Sequence, residues 1–250
     1  MTSLVISQPM VFPWVGLFEQ IRLSDTFVHL DDVQLPGGGS FSTRVQVKTS
    51  QGLRWLTVPV VRQRGALIRD TRIDESQRWR DRHLHTLRQA YSKAPFFDQM
   101  FDVVDRVYRI KSNFLWEFNV SGIEEACAFF GFDPQFIVSS SLGTTTHGTQ
   151  KVLDLARKLG AQRYVSGLGG LNYLEHDVFE AAGIRVEYMA YEKAPYPQLH
   201  GLFTSSVTIL DCMANCGPEG ADYIRSESVY WRELVGGKAQ APAAGNEAEV

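Results

Sequence analysis

Short apolar runs alternate with turn-forming residues along most of the chain, and their period switches between that of a strand and that of a helix. Residues 4–7 are apolar, β-branched at Val5 and Ile6, and closed by Gln8-Pro9, which predicts a buried first strand feeding a loop. The loop runs through Phe12-Pro13-Trp14 to Gly16; a helix over 17–23 and a strand over 26–30 follow. Strand, loop, helix and strand in so short a span predict a βαβ opening and hence a parallel sheet. Strand-like stretches come next at 43–48 and 54–61. From 79 to 93 the period becomes helical, with His83, Leu84, Leu87 and Tyr91 on one face, and two more helices are predicted over 96–110 and 113–130. Strands at 135–139, 163–166 and 184–191 then alternate with helices at 149–159 and 175–182, each helix ended by a glycine, Gly160 and Gly183. The expected fold is α/β: a mostly parallel sheet with flanking helices and an inserted helical subdomain at about 77–131, in a single domain over 1–235. Residues 236–250 are rich in Ala, Gly and Pro without periodicity, and a disordered tail is expected there.

Composition narrows the class. With 250 residues, 44% hydrophobic and 21% charged, the chain can bury a sizeable core, which excludes disorder, collagen and coiled coil. A net charge of −3 argues against a protein that coats nucleic acid. The three cysteines, Cys127, Cys212 and Cys216, are an odd set, and they are expected to be core residues in a reducing compartment. No apolar run approaches a membrane span, and the first ten residues lack a signal-peptide pattern, so the expectation is a cytoplasmic, soluble protein. Charge is unevenly placed: residues 54–93 hold nine Arg and one Lys against four acids, a net of +6. Such a stretch is either an anion-binding surface or a solvated face with internal ion pairs.

Ligands of open parallel sheets sit at the carboxyl ends of strands, so the loops there carry the candidate chemistry. In the first, Gln8 offers a bidentate amide and Trp14 a stacking face, while Gly16 allows close approach at the helix start. The second holds Asp31, Asp32 and Gln34 before a glycine turn. One acid is a candidate general base, or with Gln34 a Mg²⁺ ligand; the alternative is a solvated turn. The third, a Ser- and Thr-rich run, contains His147, an acid–base candidate unless the run only caps a helix. In the fourth, Ser166, Gly167, Gly169 and Gly170 predict a backbone-lined pocket with Asn172 and Tyr173 reaching in. Gln198 follows in a later loop, and Asp211 and Asn215 share a helix face.

The segments QPMVFPWVGLFEQI, FVHLDDVQLPGGGSF, RWLTVPV, QAYSKAPFF, YVSGLGGLNYL, YPQLHGLF and SVTILDCMANCG, in this order, resemble the WbqC-like family of bacterial proteins. The resemblance runs from Gln8 to Gly217. It implies an association with O-antigen and other surface-polysaccharide gene clusters, or with small-molecule biosynthesis. Where the family often has an Asn-Arg pair, this chain has Ser42-Thr43-Arg44, so only Arg44 carries over, as an anchor for an anionic group. The opening loop is more distantly similar to nucleotidyltransferase-like proteins, but Pro13-Trp14-Val15-Gly16 stands where those carry an HxGH motif.

Together these features point to a biosynthetic transferase acting on a small-molecule or carrier-linked anionic substrate, with a phosphate-bearing or acyl/aminoacyl donor. A non-catalytic sugar- or nucleotide-binding protein is the alternative from another class. RNA recognition through residues 54–93 and Trp79 is a third, and nucleic acid is not the favoured partner.

Overall fold

Leu4, Val5 and Ile6 are all buried, although successive residues of a strand point to opposite faces. The first strand is therefore covered on both sides, as the centre of a parallel sheet must be. The computed structural model, which describes residues 1–238, shows how. It opens with β1 (Ser3–Ser7), α1 (Val15–Arg22) and β2 (Thr26–His29). A long insertion follows: β3 (Arg44–Thr49), β4 (Gly52–Thr57), β5 (Val60–Val61), β6 (Arg72–Ile73), α2 (Trp79–Tyr91), α3 (Phe97–Tyr108) and α4 (Leu115–Phe130). Alternation resumes with β7 (Gln135–Val138), α5 (Gly148–Lys158), β8 (Arg163–Ser166), α6 (His176–Ala181) and β9 (Arg185–Ala190). The described chain ends with α7 (Ile209–Cys216), β10 (Glu227–Tyr230) and α8 (Trp231–Lys238).

The main sheet has the order β10-β9-β8-β1-β2-β7, and every pairing is parallel except that of β10 with β9. Strand alternation divides its side chains between two cores. Val5, Phe27, Val165 and Met189 meet α1, the inserted helices and α7 on one face. Leu4, Ile6, Val28, Tyr164 and Tyr188 meet α5 and α6 on the other. The insertion contributes Val47, Trp79, Leu87 and Phe118 to the first of these cores, so it packs as a layer of the sheet. The fold class is α/β, as the patterning predicts.

His83 shows how the insertion is tied down. Its Nε2 lies 3.1 Å from the Thr57 carbonyl, which can only accept, so that nitrogen carries the proton and Nδ1 accepts from the Tyr108 hydroxyl at 2.9 Å. Burial, partly offset by the Thr57 bond, lowers the imidazole to about 4 and keeps it neutral.

Several details differ from the sequence reading. The strand expected over 54–61 is divided into β4 and β5, because Pro59 has no N–H to continue the ladder. The edge strand β10 and the helix α8 were not expected. Gly236, Gly237 and Lys238, the first residues of the expected tail, complete α8; the rest of that tail lies outside the described residues. The three cysteines are free and buried. Among the described residues no helix is long and apolar enough to cross a membrane.

The basic stretch is largely satisfied internally. Arg80 pairs with Glu75 at 2.8 Å and Arg78 with Asp81 at 3.2 Å, while Arg72 lies over the Phe114 ring and Arg88 over Phe101. Trp79, named with this stretch in the RNA alternative, is buried with its indole N–H given to Glu75, so it presents no surface for RNA.

Candidate functional site

Chain direction builds a crevice between β1 and β8. After β1 the chain crosses by α1 to β2 on one side, and after β8 it crosses by α6 to β9 on the other. Adjacent parallel strands whose connections diverge leave an opening beyond their carboxyl ends. A cleft of about 370 Å³ lies there. Its first wall comes from Ser7, Gln8, Met10 and Trp14, its second from Ser166, Gly167, Gly169, Gly170 and Tyr173, and Ile6, Leu17, Gln20, Leu30 and Tyr191 complete it.

Each wall has a local cause. Gln20 on α1 donates to the Val165 carbonyl at 2.9 Å, locking the helix to β8 under the cleft. A short 3-10 turn (Leu168–Asn172) follows β8, and the first amides of any such turn have no partner within it. Gly170 is required by close approach, since a Cβ there would lie 2.3 Å from Ser166 Oγ and 3.0 Å from Leu174. Trp14 packs on Tyr191 with ring centroids 5.0 Å apart. Burial and the nearby Glu19 carboxylate push the Tyr191 phenol up to about 12, so it stays a neutral hydrogen-bond donor. The cleft lining contains no side chain that is charged at neutral pH.

The two aspartates sit beyond the neighbouring strands β2 and β7, and neither lines the cleft. Asp31 is buried and accepts from the Ser140 amide at 2.9 Å. Ser139 Oγ accepts from the Asp31 amide and shares its one proton between Asp31 Oδ1 at 2.9 Å and Asp32 Oδ1 at 2.5 Å. Lys151 on α5 closes the network, its Nζ 2.7 Å from Asp32 Oδ2, with the two side chains only 5% and 9% exposed. Burial alone raises the Asp32 carboxyl, but hydrogen bonds from Lys151 and Ser139 outweigh it and hold the group below the ordinary aspartate range. The network ties the carboxyl ends of β2 and β7 to the start of α5.

Of the residues singled out in the sequence, Gln8, Trp14, Ser166, Gly167, Gly169, Gly170 and Tyr173 meet in the cleft. Gly16 lies beneath the Trp14 indole, where a Cβ would come within 2.0 Å of the ring. Arg44 is engaged elsewhere, donating to the Gly39 carbonyl at 2.8 Å and lying 4.0 Å over the Trp55 ring. Gln34, Asn172 and His147 are exposed outside the lining. Gln198 is a clip: its Oε1 accepts from the buried Lys48 ammonium at 3.0 Å and its amide nitrogen donates to the Thr204 carbonyl. Among the described residues no group of three His, Cys, Asp or Glu side chains is placed to hold a metal ion.

Sequence reading missed Glu19, Gln20, Tyr191 and Lys151. The first two sit in the run Leu17-Phe18-Glu19-Gln20-Ile21, where polar residues look like the wet face of a helix. α1 is instead buried from Val15 to Ile21. The detectable signal was a helix too apolar around those two positions to have a wet face.

A family model described as the WbqC-like protein family matches residues 8–223. An uncharacterised protein of Mycobacterium tuberculosis strain H37Rv, Rv1507c, is 32% identical over 230 residues, which cover 90% of this chain and 98% of that protein. No solved structure matches the chain. Gln8, Trp14, Glu19 and the glycine loop after β8 all fall within the matched span, and the chain belongs to the WbqC-like protein family.

Proposed function

We propose that this protein is a cytoplasmic biosynthetic transferase of bacterial surface-polysaccharide or small-molecule metabolism, with its donor in the cleft between β1 and β8. The observation that carries this reading is the convergence of two distant loops on one crevice at the point where strand connections diverge. A lining that mixes amides, hydroxyls and aromatic rings with the apolar Ile6, Met10, Leu17 and Leu30, and carries no charge, suits the uncharged part of a donor, a sugar ring or a heterocycle. A phosphate or carboxylate on that donor would meet the free amides at the start of the Leu168–Asn172 turn. In this reading Asp31 and Asp32 hold the β2 and β7 loop ends in place through Ser139 and Lys151.

The test is a thermal-shift screen with nucleotides, sugar nucleotides, coenzyme A and aminoacyl donors, with and without Mg²⁺. A ligand at 100 times its Kd adds about 2.7 kcal/mol. For a chain of this size that is a rise of roughly 5–10 °C. The shift should disappear in Gln8→Ala and Tyr173→Ala. If none of the donors stabilises the protein, the donor cleft is not what we infer.

A second reading has its own support. The only titratable side chains in the cleft lining are Tyr173 and Tyr191, which fits a protein that presents a sugar or nucleotide without transforming it. A donor that binds tightly and is recovered intact after incubation with mixed acceptors would favour that reading over transfer.

A further inference from the structure

Besides the cleft, Trp14 lines a groove of about 280 Å³, together with Phe41, Val45, Gln46, Lys193 and Ser205 among others. A throat of about 10 Å³, walled by Trp14, Gly16, Tyr196 and Phe203, shares Trp14, Lys193 and Ser205 with the groove and has Glu19 in its lining. That volume takes one group the size of a water molecule.

Glu19 is fully buried. Its Oε2 accepts from Ser226 Oγ at 2.8 Å, and Ser226 in turn accepts from the Glu192 amide at 2.9 Å, so the serine's single proton is committed to the carboxylate. Oε1 has no hydrogen-bond partner. A purely structural clip needs only the Ser226 bond, and buried acceptors are otherwise almost always paired. The backbone amide of Lys193 and the charge of Arg22 act on the carboxylate, and Lys193 also lines the throat, but neither cation forms an ion pair with Glu19 among the described residues. Trp14, Tyr196 and Phe203 line the approach, and aromatic rings of this kind are partners for cations.

We propose that Glu19 is the base of a binding site for a primary amine, whose ammonium fills the throat and whose carbon chain lies in the groove against Phe41 and Val45. Size selects a single –NH₃⁺ over a substituted ammonium, and the unpartnered oxygen selects a donor over an acceptor. This site goes beyond the donor cleft and does not depend on it.

The test titrates n-butylammonium chloride and, separately, n-butanol into the full-length ¹⁵N-labelled protein while following the Trp14 indole N–H, assigned with Trp14→Phe. Butylammonium should shift that signal saturably and butanol should bind at least tenfold more weakly. Glu19→Gln keeps the shape and removes the charge, and should weaken amine binding about ten- to hundredfold, the scale of one charge-assisted hydrogen bond. Ser205→Phe plugs the mouth without touching Glu19 and should abolish binding even if the Glu19 variant folds poorly. Equal affinity for butanol, undiminished binding in a folded Glu19→Gln, or no saturable shift would each overturn the site. No donor is used, so this result and that of the donor screen fail independently.

Discussion

Replacing Gly16 by alanine probes the partition between the two cavities. A Cβ at position 16 would lie 2.0, 2.3 and 2.4 Å from three carbons of the Trp14 ring, where ordinary contact begins at 3.4 Å. The indole must therefore retreat by about 1.4 Å at its closest atom, the difference between 3.4 and 2.0. Tyr191 blocks one direction, with its ring centroid 5.0 Å from that of Trp14. Forcing a methyl into packing of this kind costs about 1–3 kcal/mol. Backbone preference acts the other way, because alanine inside a helix is favoured over glycine by roughly 0.5–1 kcal/mol. Gly16→Ala should thus lower stability when Trp14 is present and be neutral or slightly stabilising in a Trp14→Ala background. The coupling between the two changes should be about 1–3 kcal/mol, the packing term alone, because the backbone preference is the same in both backgrounds and cancels. Urea unfolding of the four proteins, with m-values compared, measures it. An equal cost in both backgrounds would show that the indole does not rest on Gly16.

Three further outcomes test the electrostatics. Lys151→Met strands the Asp32 carboxylate in a buried site and should cost about 3–5 kcal/mol at pH 7; the deficit should shrink in acid as Asp32 takes up a proton, and be partly repaired by adding Asp32→Asn. For His83 the folded value of about 4 lies below the ordinary 6.5, so stability is full above 6.5 and is lost as pH falls towards 4. That loss amounts to about 3 kcal/mol, and His83→Gln should flatten this limb of the pH–stability curve. Burial, then the Glu192 charge, raise the Glu19 carboxyl against the Ser226 bond, so the native state holds its proton longer than the unfolded chain and stability falls as pH rises. The Tm of Glu19→Gln minus that of wild type should be near zero below the ordinary glutamate pKa and become more positive as pH rises above it; a constant difference would refute the assignment.

Local pattern sufficed for the parallel strands and the inserted helices, because each is decided by neighbours within a few residues. Val5-Ile6 before Gln8-Pro9 announces a buried strand and its loop, and the spacing of His83, Leu87 and Tyr91 announces a helix. The glycine loop after β8 was equally legible, since glycines between a strand and a helix have few other uses. Glu19 was not, because what buries it is Ser226 and the segment around Lys193, some two hundred residues on, and no local periodicity reports so distant a cover. The roles of Asp31 and Asp32 were hidden for the same reason: the partners Ser139 and Lys151 reach them only through the β2–β7 pairing and α5.

The β1–β8 pairing, which joins Ser3 to Arg163 and Leu4 to Tyr164, has a consequence for synthesis of the chain. The two walls of the cleft emerge from a ribosome well over a hundred residues apart, and Tyr191, which completes it, emerges later still. Contacts so distant in sequence form slowly, after the entropy of a long closed loop has been overcome. The amino-terminal strand can pair with β2 and its helix can pack on the insertion early, but the β8 edge of β1 stays open until residue 163 and beyond are made. Ligand binding becomes a signature of completed folding: a nascent chain stalled before residue 163 would hold the first loop and first helix yet have no cleft in which to bind anything.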